Sequence, residues 1–236
     1  MREDYTLLEF DSTLFGYVVA SIKMDEKNFQ SLSQIVQKMK LQNVRLAYLQ
    51  LPSVNEDIAQ FIEQNGGKLV DEKVHIKWQL SSLQAQDTSL VAEYTGEYTD
   101  ELKTLFRQSG VFSRFALDES FVNGEFNKLY DLWGKQALSP ELGGKMFIYP
   151  MPNGQIAGFA MREYRGEQVF FGQMAVDSQF RGKGIGRALL AMVKNSAYLE
   201  GCEELHGIVH RINSTALALH KPYEEVSSST TFHFWL

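Results

Sequence analysis

The chain has 236 residues, 44% of them hydrophobic and 22% charged, which excludes a disordered chain and allows a sizeable buried core. A formal net charge of -6 excludes broad electrostatic binding to nucleic acid or an anionic membrane, since both need a dominantly basic surface. Cys202 is the only cysteine, so no intrachain disulfide is available; Met1-Arg2-Glu3-Asp4 lacks the basic then apolar pattern of a signal peptide, no apolar run approaches the roughly 20 residues of a membrane span, and a cytoplasmic location is the expectation.

From the N-terminus, hydrophobic periodicity predicts a strand (Tyr5 to Phe10), a turn (Asp11-Ser12-Thr13), a strand (Phe15 to Ile22), a helix (Lys27 to Lys40) and a strand (Val44 to Leu51). Ser53 and Glu56 have capping-box spacing after Pro52, so a helix opens there and stops at Asn65-Gly66-Gly67. Val74, Ile76, Trp78 and Leu80 alternate, which marks a strand with one covered face. Ser81 to Ser89 is polar and aperiodic and is read as a domain boundary, giving a smaller α/β domain over 1–85 and a second domain over 86–236.

The second half starts with a strand (Leu90 to Tyr94), a helix (Thr99 to Gln108), a polar and aromatic segment around Ser113-Arg114-Phe115 and a helix (Glu119 to Gln136). Lys145 to Tyr149 and Gln155 to Glu163 form a hairpin around Pro152-Asn153-Gly154, and Gln168 to Val176 returns after Arg165-Gly166. A helix (Gly184 to Leu199), a strand (Glu204 to His210), a short helix (Ser214 to His220) and a strand (Thr230 to Leu236) complete the chain. Ser53 to Leu80 and Asn213 to Leu236 both run turn, helix, loop, strand; the N-terminal domain as a degenerate half-copy of the second and a chance recurrence of common units both fit that echo.

The chemically informative stretch is Gln173 to Leu190, where a strand runs into the turn Arg181-Gly182-Lys183-Gly184-Ile185-Gly186-Arg187 and a helix follows at once. The first amides of a helix have no intrahelical partner and carry the positive end of its dipole, so an anion is held there without a dedicated side chain. Glycines let the backbone approach closely, and Arg181, Lys183 and Arg187 add charge suited to a diphosphate. A solvated basic face at a glycine-rich helix start is the plain alternative. A Walker A loop would need Gly-Lys-Ser/Thr at its end, and a dinucleotide loop Gly-x-Gly-x-x-Gly, and neither spacing is present.

Arg181-x-x-Gly184-x-Gly186 resembles the Q/R-x-x-G-x-G/A pattern of the GCN5-related N-acetyltransferases, the GNAT superfamily. The resemblance implies a mixed, mostly antiparallel sheet flanked by helices, with acetyl-CoA as acetyl donor and an amine as acceptor. It implies that Arg181, Gly182, Lys183, Gly184, Ile185, Gly186 and Arg187 hold the coenzyme A pyrophosphate, that Met174, Ala175 and Val176 pair with the pantetheine arm, and that Asn213 lies beside the coenzyme. Counted from Asn213, the family's tyrosine position, the general acid for the departing thiolate, is held by His220; Tyr223 stands three residues on, past Pro222. Histidine ionises near 6.5 and donates at neutral pH only if neighbours raise that value, and Glu224 and Glu225 are placed to do so. A phenol, near 10, stays protonated. The plain alternative for His220 is a solvent-facing helix end.

Phe10 to Gly16, Ser113-Arg114-Phe115 with Asp118, Leu132-Trp133 and Thr230-Thr231-Phe232 resemble segments of the dTDP-fucosamine acetyltransferase group, which N-acetylates an amino sugar on a thymidine nucleotide. The acceptor expected from this is a nucleotide-linked amino sugar, with Arg114 pairing to a diphosphate and Phe115 and Phe112 stacking on base or sugar. Another small amine, an amino acid, a peptide N-terminus, or a non-catalytic acyl-CoA-binding module are the alternatives. A homodimer is open. No metal site is expected, since His206 and His210 alternate along a strand without a nearby cysteine or carboxylate cluster.

Overall fold

The computed structural model describes residues 4–24, 29–52, 54–139 and 144–236. The first strand, β1 (Tyr5–Leu7), is shorter than expected, and helix α1 (Glu9–Phe15) replaces the turn expected at Asp11-Ser12-Thr13. Glu9 and Asp11 lie in its first turn, where carboxylates suit the helix dipole, and Ser12 Oγ donates to Leu8 O at 2.6 Å. Gly16 ends the helix at φ 79°, so β2 (Val18–Ile22) starts at Val18 rather than Phe15. A 3₁₀ turn (Phe29–Ser31) leads into α2 (Leu32–Leu41), whose buried Leu32, Ile35, Val36 and Met39 follow the spacing of one helical face; the start expected at Lys27 lies outside the described residues. After β3 (Val44–Pro52) comes α3 (Glu56–Gln64). Ser53, expected to cap α3, lies outside the described residues, and Asn55 does the capping, its Oδ1 accepting the Ile58 N–H at 2.9 Å. Strand β4 (Lys68–Gln79) buries Val74, Ile76 and Trp78, as their alternation predicts.

Strand β5 (Ala92–Tyr94), α4 (Asp100–Ser109) and the one-turn α5 (Arg114–Leu117) precede α6 (Glu125–Ala137). The helix expected from Glu119 begins only at Glu125 because the stretch before it spends its amides elsewhere. Phe121 N–H bonds to Asp118 O, Ser120 N–H to the Asp118 carboxylate and Asn123 N–H to the Glu125 carboxylate. Then follow β6 (Lys145–Pro150), β7 (Ile156–Arg165), β8 (Gln168–Val176), α7 (Ile185–Leu199), β9 (Glu204–His210) and α8 (Ser214–His220), close to expectation. The last strand, β10 (Glu224–Trp235), starts at Glu224 rather than Thr230. Among the described residues no helix is long and apolar enough to cross a membrane.

The chain divides into two compact units, neither of them one continuous stretch. The first comprises Met1–Lys73, Ser113–Glu125 and Ser227–Leu236, and the second Val74–Phe112 and Phe126–Val226. This division differs from the expected split into 1–85 and 86–236: it falls inside β4, and the closing strand groups with the N-terminal elements. The cause is pairing between residues remote in sequence, Leu46 with Trp235 through to Pro52 with Ser229, which local composition does not encode. In the first unit strands run β1-β2-β3-β10, with β2 and β3 parallel and the outer pairs antiparallel. Its core joins Leu32, Ile35 and Met39 of α2 to Leu49, Ile62, Phe232 and Phe234.

In the second unit strands run β9-β8-β7-β6-β5, antiparallel except for the parallel pair β8 and β9. The Val74–Gln79 part of β4 stands beside β9, where a side chain in place of Gly207 would meet the Trp78 ring and Cγ1 of Ile76. Phe147 of β6 packs with the α7 cluster that includes Ala188, Leu189 and Val193, while its neighbours Met146 and Ile148 pack with Leu102, Leu105 and Phe106 of α4. The fold is thus mixed α/β with a mostly antiparallel sheet flanked by helices, as the resemblance implies. One chain path occurs twice: β2-α2-β3-α3-β4 and β8-α7-β9-α8-β10. In each, parallel strands enclose a helix, an asparagine caps the next helix, and a 12-residue strand closes the path.

Candidate functional site

The site is built on the end of β8. Ala160 of β7 faces Met174 and Arg162 faces Phe171, so Gly172 and Gln173 together oppose Met161 alone: β8 carries a bulge of one extra residue. On its other edge β8 pairs with β9 at Phe170↔His206 and Phe171↔Gly207, and the register goes no further, although β8 continues to Val176. Met174, Ala175 and Val176 stay paired to β7 on one edge, while their β9-side edge has no β9 partner, which leaves backbone groups there for an extended ligand. Ala175 is buried, while Met174 and Val176 are half-buried.

The chain leaves β8 through Asp177, whose carboxylate accepts the Gln179 N–H at 2.9 Å, and reaches the glycine turn. Gly182 and Gly184 adopt φ 77° and 82°, the left-handed region that favours glycine, and a methyl group built on either meets nothing within 4 Å. The first intrahelical bond of α7 is Ala188 N–H to Gly184 O at 3.1 Å, and no side chain caps the helix. The amides of Ile185, Gly186 and Arg187 therefore lie ahead of that bond, at the positive end of a 15-residue helix whose N-cap residue opens onto space. Arg181, Lys183 and Arg187 are exposed beside them. Arg181 Nε donates to Val176 O at 3.0 Å, tying the turn back to the strand end, and Lys183 Nζ stands 5.2 Å from the Phe180 ring centroid. Ile185 is buried and anchors the helix start in the α7 core.

Asn213 caps α8, its Oδ1 accepting the Ala216 N–H at 3.0 Å, and α8 carries the chain to His220. His220 is buried, with its ring 5.1 Å from both the Trp78 and the Phe171 ring centroids. Burial first, and then the Lys194 ammonium, push its pKa down to about 4. This corrects the expectation that Glu224 and Glu225 raise it: Glu224 faces Lys77 at 3.6 Å and Glu225 faces Arg211 at 3.1 Å. A histidine that is neutral above about 4 is not the protonated donor a departing thiolate requires. Tyr223 lies beyond the helix, half-buried against the α7 cluster.

Of the residues expected to bind the acceptor, Arg114 and Phe115 belong to the first unit and Phe112 to the second. Phe115 is 8% exposed, with Phe15, Tyr48 and Phe121 ring centroids 6.0, 6.5 and 5.5 Å away, so it packs in a core rather than stacking on a ligand. Half-buried Arg114 places its guanidinium carbon 4.0 Å from the Tyr48 ring centroid. Nearby, the buried Asp118 accepts bonds from His233 Nδ1 at 2.7 Å, Trp235 Nε1 at 2.8 Å and Lys68 Nζ at 3.0 Å. Burial would raise its pKa, but these donors outweigh it and hold the carboxyl well below the usual range. Sequence reasoning missed this cluster and the Trp78, His220 and Lys194 group, because each assembles residues from remote stretches. Of the histidines weighed for metal binding, His206 Nδ1 lies 3.0 Å from His75 Nε2; among the described residues no three His, Cys, Asp or Glu side chains group to hold a metal.

Comparison with known proteins agrees with this geometry. Residues 144–224, from the residue just before β6 to the first residue of β10, match the model of the acetyltransferase (GNAT) domain family. An acetyltransferase of Pectobacterium atrosepticum is 28% identical over 79 residues, which span 34% of this chain and 56% of that protein, little more than half its length. Among solved structures, a GCN5-related N-acetyltransferase from Sphaerobacter thermophilus superposes with TM-score 0.63 at 15% identity, covering 97% of this chain and 75% of its own. A conserved protein of unknown function from Staphylococcus epidermidis gives TM-score 0.67 at 11% identity, covering 100% and 92%. At such identities the structures speak for the fold, and the family match for the segment that bears the glycine turn. The segment 144–224, which carries the glycine turn, is accordingly similar to the GNAT acetyltransferase domain.

Proposed function

We propose that this protein is an acetyl-CoA-dependent N-acetyltransferase that passes the acetyl group directly to an amine. The observation that carries the reading is the uncapped start of α7 behind Gly182 and Gly184, set next to the β8 edge that has parted from β9. A diphosphate suits the amides of Ile185, Gly186 and Arg187 with the flanking Arg181 and Lys183, and an amide-bearing arm suits the edge of Met174, Ala175 and Val176. The deprotonated amine attacks the thioester carbonyl and forms the carbon–nitrogen bond, the nitrogen gives its extra proton to solvent, the carbon–sulfur bond breaks, and the thiolate takes a proton. Tyr223 is the donor we assign, because it brings a phenol three residues past His220, half-buried against the α7 cluster, whereas His220 is buried and neutral.

The acceptor remains a small amine in this reading. A nucleotide-linked amino sugar keeps the support of Arg114 and loses that of Phe115, whose ring is enclosed. The first unit, with its repeated path β2-α2-β3-α3-β4, reads as a degenerate copy of the transferase half. The test is thiol release from acetyl-CoA with a panel of free amino acids, short peptides, polyamines, amino sugars and nucleotide-linked amino sugars, alongside calorimetric binding of acetyl-CoA. Micromolar binding with thiol release for at least one amine is expected. Binding with no release under any amine would leave an acyl-CoA-binding module, and no binding would sink the site.

A further inference from the structure

We propose that Trp78 is a positioning residue for acetyl transfer, acting through the end of α8 on Tyr223; this rests on the transferase reading above. The last carbonyls of a helix need donors from outside it. At the end of α8 the chain supplies few, because Lys221 has already turned extended and Pro222 has no N–H. The carbonyl of His220 is met instead by the indole N–H of Trp78, 2.8 Å away and buried. No nearer segment makes this bond: the two residues are 142 positions apart.

The indole that makes it is held firmly. Its ring lies against Gly207 of β9, where an added methyl would sit 3.1 Å from the ring, so no larger residue fits opposite without displacing it. Lys194 Nζ stands 4.7 Å from its ring centroid, and the His220 imidazole packs against both the indole and Phe171, the last β8 residue paired to β9 before the bulge. A clamp of Trp78, His220 and Phe171 thus joins β4, the end of α8 and the point where β8 parts from β9. Tyr223 follows His220 by three residues and packs against the same cluster. The His220 position, where the sequence pattern calls for an acid, carries a wedge and a carbonyl anchor, and the phenol lies just past it.

The test removes the indole N–H in two ways: by replacing the Trp78 indole with a benzothiophene, which preserves the bicycle, and by Trp78→Phe, which leaves a single smaller ring. Rates are read as thiol release from acetyl-CoA with the best amine of the panel. We expect kcat to fall about tenfold with KM for acetyl-CoA within twofold, the pattern for an interaction expressed in the chemical step. Tyr223→Phe should lose on the order of a hundredfold or more, and Trp78→Phe added to it should cost little further, because the two act through one group. Lys194→Met, which alters the other contact of the indole but keeps its N–H, should stay within twofold of the parent.

A parental kcat in the benzothiophene protein, multiplying losses in the double variant, or an equal loss in Lys194→Met would each overturn the proposal, the last by showing that any loosening of this core suffices. Failure of the transferase reading would appear earlier, as a parent protein that releases no thiol with any amine, and would take the proposal with it. A parent that is active while the variants behave as one of those three outcomes rejects the positioning role alone.

Discussion

At Gly184 backbone and charge effects can be separated. Its φ of 82° disfavours any side chain, asparagine and aspartate least, and the space above it is open. Gly184→Asn and Gly184→Asp therefore carry similar backbone strain and differ mainly by one negative charge at the site proposed for the diphosphate. We expect both to fold, with the aspartate variant binding acetyl-CoA at least about tenfold more weakly than the asparagine variant by calorimetry; equal affinities would remove the diphosphate from this turn. Lys194 is a second residue with a distinct signature. Burial pushes its pKa down to about 8, so its charged form is disfavoured in the folded state. The ordinary value is 10.5, hence the destabilisation is full below about 8 and fades as pH rises from there toward 10.5, where the unfolded chain also loses the proton. Lys194→Met should raise Tm at pH 7, and the gain should shrink progressively above pH 8. A gain that does not vary between pH 7 and 10 would mean that packing rather than charge sets it.

Among the elements, α8 is short, seven residues, and so depends on its ends more than a long helix does. Asn213 secures the first turn through Ala216 N–H, and Trp78 secures the last carbonyl. Asn213→Ala should cost about 1 kcal/mol of stability in urea denaturation, the usual effect of a lost cap, while Asn213→Asp should restore most of it. If Asn213→Ala is neutral, the cap is dispensable and α8 is held by packing alone. The start of α7 contrasts with this: it has no capping side chain, and the longer helix tolerates the omission because its buried face of Ile185, Ala188, Leu189 and Val193 anchors it. An uncapped start on a well-anchored helix is what a ligand-binding terminus requires, since a cap would occupy the amides that the ligand uses.

Across the whole molecule, the exchange of closing strands between the two halves of the sequence makes truncation costly. A fragment starting at Ser89 lacks Val74, Ile76, Trp78 and Leu80, all at most 5% exposed in the α7 cluster. At about 1.5 to 3 kcal/mol for each buried aliphatic or aromatic side chain, the loss is comparable with the entire stability of a domain. Such a fragment should be insoluble or lack a cooperative unfolding transition by circular dichroism, and a soluble, cooperatively folded one would refute the assignment of β4 to that core. The sequence by itself determined what is encoded locally: the β6 to β8 meander with its turns, the glycine turn at the head of α7 and the Asn213 cap. These rest on dihedral preferences and spacings within a few residues of one another. It also misled where two local signals competed, as at Asp11 to Thr13, whose turn-forming residues yield to a helix that Gly16 terminates. Only the tertiary structure decided the division of β4, the pairing of β10 with β3 and the enclosure of Phe115. It also decided the state of His220, whose sequence neighbours are carboxylates but whose spatial neighbours are Trp78, Phe171 and Lys194. Burial and charge act through space, and a proton responds to the side chains that surround it rather than to those that precede it in the chain.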